Sequence, residues 1–122
     1  MNGPDLELVR EILGCLEAID RAEATAWRFP QDPDIAEAAL KTIKGCNEAI
    51  RAAVGSLSLE LREDHPAVPW SAMARMPDLI GAHDDKPDPR KLASELRKAL
   101  KGLRSACQAI LAESVRIGED EP

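Results

Sequence analysis

Apolar residues recur at three- and four-residue steps along most of this chain, and the strict alternation that marks half-buried strands is absent. Between residues 5 and 28, Leu6, Val9, Ile12, Leu13, Leu16 and Ile19 follow this period and predict an amphipathic helix. Its first turn is acidic, where the helix dipole favours negative charge. Trp27 and Phe29 close it, and Phe29-Pro30-Gln31-Asp32-Pro33 reads as a proline-marked turn. A second helix is expected from Asp32 or Pro33 to about Arg62, through Ile35, Ala39, Ile43, Cys46, Ile50, Val54 and Leu57. Gly55-Ser56 could bend it or split it in two.

Asp64 or His65 should end that helix, because a residue before proline is pushed out of the α region. Pro69 suits the first turn of a short new helix, in which Trp70, Met73 and Met76 share one face and serve as core or dimer interface. Pro77 then kinks or stops it. After His83 a polar loop with two prolines leads to Asp88, a good N-cap, and Pro89, a good first helical residue. The last helix is expected over roughly residues 89 to 115, with Leu92, Leu96, Leu100, Leu103, Cys107 and Ile110 on its apolar face. Residues 117 to 122 read as a fraying acidic tail. The expectation is one domain over residues 1 to 122, an all-α antiparallel bundle of about four to five helices.

Composition changes this picture in two ways. Only two tryptophans, one phenylalanine and no tyrosine occur, so the core must be built from aliphatic side chains. The N-terminal Met-Asn-Gly-Pro-Asp has neither a basic region nor an apolar run, and no segment is long and apolar enough to cross a bilayer. A cytoplasmic location without membrane contact is therefore expected. Cys15, Cys46 and Cys107 are odd in number and fall within helical patterns, which points to buried reduced thiols. With two distant histidines and no paired short spacings, neither a metal site nor a cofactor is expected.

Charge is spread unevenly. Residues 1 to 64 carry 7 basic and 13 acidic side chains, whereas residues 86 to 104 carry 7 basic and 2 acidic. Arg90, Arg97, Lys101 and Arg104 fall within a narrow arc opposite the apolar face of the last helix, flanked by Lys91 and Lys98. Such an arc is either a solvated face or a docking stripe for RNA or an acidic partner. The stripe itself contains no aromatic residue to stack on bases.

The run Leu61-Arg62-Glu63-Asp64-His65-Pro66-Ala67-Val68-Pro69-Trp70, then a short helix, His83, an acidic loop and a long final helix, resembles the HepT-like proteins of the HEPN superfamily. The similarity is strongest from about Leu61 to Leu111; the earlier helices match in pattern, including Asn47-Glu48-Ala49. The resemblance implies a helical homodimer from a toxin–antitoxin pair, partnered by a minimal nucleotidyltransferase, whose active members are metal-independent RNA endonucleases. The family motif is an arginine, a polar residue directly after it, a histidine a few residues on and, in HepT, a tyrosine two beyond the histidine. Here Pro77 stands at the arginine position and Asp78 at the polar one. Ala82 stands at the histidine position, one before His83, and Asp84 replaces the tyrosine.

Arg75, Asp78 and His83 are therefore the catalytic candidates. An arginine can hold the scissile phosphate and stabilise charge developing on its oxygens. A histidine titrating near neutrality can carry the proton of the 2′-hydroxyl or the leaving oxygen. The plainer roles are a solvated Arg75, a helix-capping Asp78, a surface His83 and a His65 ring that caps the end of the second helix. Two functions stay open: an endoribonuclease toxin, or a HEPN-type binding module that keeps its dimer and partner surfaces without catalysis.

Overall fold

A computed structural model describes residues 3–74 and 88–120, and among these the chain is helical with no strand. The helices are α1 (Gly3–Arg28), α2 (Pro33–Ser56), α3 (Leu59–Asp64), α4 (Trp70–Ala74), α5 (Pro89–Ala99) and α6 (Lys101–Asp120). The all-α bundle expected from the periodicity is what the chain forms.

Two aspartates start helices as anticipated. The Asp32 carboxylate accepts from the backbone N–H groups of Asp34 (3.0 Å) and Ile35 (3.3 Å), with Pro33 opening α2. Asp88 accepts from the N–H of Arg90 at 2.9 Å, with Pro89 opening α5. The second helix does split near Gly55-Ser56. Leu57 and Ser58 are extended, the Arg62 guanidinium donates back to the Val54 carbonyl at 2.8 Å, and Ser58 Oγ accepts from the N–H of Leu61 at 3.2 Å to start α3.

The last helix differs from expectation. Leu100 has φ −100 and ψ 10 and divides it into α5 and α6, although hydrogen bonds from Leu100 to Leu96 (2.8 Å) and from Arg104 to Leu100 (2.9 Å) bridge the break. Gly102, a weak helix former, stands in the first turn of α6. The C-terminal helix also runs to Asp120, beyond the start of the expected tail.

The core is aliphatic and continuous. Val9, Ile12, Leu16 and Ile19 of α1 meet Ile43, Ile50 and Val54 of α2, and Leu92, Leu96, Leu103, Cys107 and Ile110 of α5 and α6. Trp70 and Met73 join the same cluster with Leu61 and Val68, so both are core side chains of the single chain. Met76 lies outside the described residues. α1 runs antiparallel to α2, since Asp5 meets Ser58, and antiparallel to α5 and α6, since Trp27 meets Arg90 while Asp20 meets Arg104.

Candidate functional site

Arg75, Asp78 and His83, the catalytic candidates, lie outside the described residues. What is described is the frame that leads into them. Pro66 and Pro69 bracket a tight turn in which the N–H of Val68 bonds to the His65 carbonyl (3.3 Å) and that of Trp70 to the Val68 carbonyl (2.9 Å). The Trp70 ring is buried, and its indole N–H donates to the carbonyls of His65 (2.9 Å) and Arg62 (3.2 Å). The end of α3 is thus capped by the His65 backbone N–H, which donates to the Arg62 carbonyl at 3.3 Å, and by the Trp70 indole, rather than by the His65 ring. The start of α4 is thereby fixed to the end of α3 by side chain as well as backbone.

The basic stripe is fully described, and the fold brings α1 against it. Going down α1 and up α5 and α6, Arg90 meets Trp27, Arg97 meets Glu23 and, at 3.6 Å, Asp20, and Arg104 bonds Asp20 at 3.0 Å. Acidic residues of the first half therefore bind two arginines of the stripe, while Lys91, Lys98 and Lys101 stay exposed. Arg90 sits in a fork with Asp88, at 3.2 Å from each oxygen, and its guanidinium lies over the Trp27 ring at 4.7 Å from the centroid. Hydrogen bonding from Arg90 holds the Asp88 carboxyl below its usual range.

Sequence reasoning missed two functional-looking carboxylates. The buried stripe of α1 runs Asp5, Val9, Ile12, Leu16, Ile19, Glu23, Ala26, so an acid sits at its first and next-to-last positions. Glu23 accepts from the Trp27 indole N–H at 3.3 Å and pairs with Arg97. Asp5 accepts from the Ser58 N–H at 2.9 Å and from its hydroxyl at 2.5 Å. The signal was present as two acids falling on an apolar period. The aromatic absent from the stripe is supplied from another helix: Trp27 is 59% exposed and stands at the stripe's first arginine.

Of the three thiols expected to be buried, Cys107 is buried and Cys15 and Cys46 are only partly so. Burial, then the neighbouring Cys46 thiol and the Glu11 charge, push Cys15 up to about 11, and burial alone pushes Cys107 up to about 12. Neither has the character of a nucleophile at neutral pH. Among the described residues no three His, Cys, Asp or Glu side chains gather into a metal-binding group, and no helix is long and apolar enough to cross a membrane. No family model, curated protein or solved structure matches this chain.

Proposed function

We propose that this chain is a HepT-like helical protein of the HEPN superfamily, a cytoplasmic homodimer paired with a minimal nucleotidyltransferase, that cleaves RNA without a metal. The observation that carries this reading is the lock at Leu61 to Trp70, the stretch with the strongest resemblance, in which Trp70 caps α3 and anchors α4 in the core. That lock gives a rigid start to the stretch of sequence bearing Arg75, Asp78 and His83. In this reading Arg75 holds the phosphate and His83 moves the proton, with Asp78 at the motif's polar position. Two protomers would supply a paired site from one short motif.

A second reading, a binding module without catalysis, is favoured by Pro77 and Ala82 at the motif arginine and histidine positions and by the lack of any tyrosine. One experiment separates the two. Purified protein is incubated with total RNA and with short tRNA-like substrates, with and without EDTA, beside His83→Ala. The nuclease reading expects cleavage that survives EDTA and is lost in the variant. Cleavage no greater than that of His83→Ala overturns it and leaves the binding module. Light scattering tests the dimer, which should weigh twice the 13.3 kDa of the chain.

A further inference from the structure

Trp27 is an unusual residue to leave in water. It is one of three aromatic side chains in the protein, it is 59% exposed, and yet it is held from two sides. Its indole N–H is bonded to Glu23 one turn below, and the Arg90 guanidinium lies over its ring. Arg90 is in turn fixed by the fork of Asp88, which caps α5. The ring is therefore preorganised, although packing alone does not require its orientation.

We propose that Trp27, backed by Arg90, is a stacking platform for a base of single-stranded RNA whose phosphates follow Lys98 and Lys101. This takes its ligand class from the RNA reading above and does not depend on cleavage. The groove beside Trp27, about 440 Å³, is lined by Arg90, Lys91 and Lys98; a second hollow of about 500 Å³ is lined by Lys98, Lys101 and Arg104. Lys98 belongs to both, so cations follow one another from the ring along α5 into α6. From Arg90 to Lys101 the helices rise about 16 Å, the reach of a short single-stranded segment.

Four carboxylates also face these grooves, and arginines engage three of them. Asp88, Glu23 and Asp20 are each engaged by an arginine, while Lys91, Lys98 and Lys101 are exposed; Glu95 lines the groove as well. An acidic peptide would use the lysines and leave the fixed ring without a purpose. A duplex would offer phosphates but no free base face, because its bases are stacked on one another. A single strand uses both the ring and the lysines.

The test is anisotropy of a fluorescein-labelled eight-nucleotide oligouridylate titrated with the full chain over a salt series. Trp27→Ala should weaken binding at least tenfold, Trp27→Phe should stay within about threefold because the π-face remains, and Lys98→Glu with Lys101→Glu should flatten the salt slope. Circular dichroism should show both Trp27 variants folded at the titration temperature, with only a small drop in melting midpoint from the lost Glu23 bond and Arg90 contact. Wild-type affinity in Trp27→Ala, equal affinity for duplex RNA, or equal competition by polyglutamate overturns the platform. The cleavage assay runs separately: Trp27-dependent binding without His83-dependent cleavage keeps the platform and removes the nuclease, and cleavage with Trp27-independent binding does the reverse.

Discussion

Trp70 combines two roles that can be separated by substitution. Its ring fills the core beside Leu61, Val68 and Met73, and its N–H meets two carbonyls at the end of α3. Trp70→Phe keeps most of the packing and loses the donor, so urea unfolding should show a loss of about 1–2 kcal/mol. Trp70→Ala removes both, with an expected loss of about 3–5 kcal/mol. Equal losses in the two variants would mean that the hydrogen bonds, not the ring, hold the turn. Cys107 gives a residue-scale pH effect. Burial raises its folded pKa from an ordinary 9.0 to about 12, so above pH 9 the unfolded chain loses a proton that the folded chain keeps. The thiol's contribution is complete below pH 9 and is lost as pH rises toward 12. Alkylation at pH 8 should accordingly reach Cys107 only after unfolding, and rapid labelling of the native protein would refute its burial.

At the scale of elements, the ends of helices carry much of the specification. The cap at Asp88 opens α5 and also holds Arg90 in place. Asp88→Ala should cost about 1 kcal/mol, while Asp88→Asn should keep the cap but weaken the hold on Arg90. Because hydrogen bonding to Arg90 depresses the Asp88 pKa, its charged-state contribution is complete above the unfolded carboxyl value, near 4, and fades as pH falls below it. The difference between wild type and Asp88→Asn in thermal melts should therefore shrink in acid; a gap that widens would contradict the fork. Helix starts of this kind were legible in the sequence because the whole signal lies within four consecutive residues: Asp88-Pro89 predicted its cap, and Asp32-Pro33 marked where the second helix begins. The break at Leu100 was not, because no proline marks it and the apolar period continues through it unbroken.

For the molecule as a whole, the charge asymmetry of the sequence becomes an internal match. Acids of α1 and arginines of α5 and α6 meet across the bundle, which a linear count of charge cannot show. These pairs are partly exposed, so an Asp20→Ala and Arg104→Ala double-mutant cycle should give a coupling under about 1 kcal/mol that falls with salt. A coupling insensitive to salt would mean a drier contact than the side-chain exposures of 38% and 26% imply. The aliphatic core was readable for the opposite reason: Leu92, Leu96, Leu103 and Ile110 announce themselves by period alone, whatever they touch. Contacts between distant residues, such as Trp27 with Arg90, had no one-dimensional trace. The basic stripe was thus visible, while its aromatic neighbour was not.

The bond from Asp5 to Ser58 ties the first turn of α1 to the cap of α3, across 53 residues of chain. A protease or a cloning boundary that trimmed the chain past Asp5 would therefore act far from the cut. The Ser58 N–H and hydroxyl would lose their acceptors, α3 would fray, and amide exchange at Leu61 would quicken. The loosening would then pass to Arg62 and His65, whose carbonyls hold Trp70. The bundle's front end is a clasp, and a tag that leaves residue 5 in place is the one that leaves the fold undisturbed.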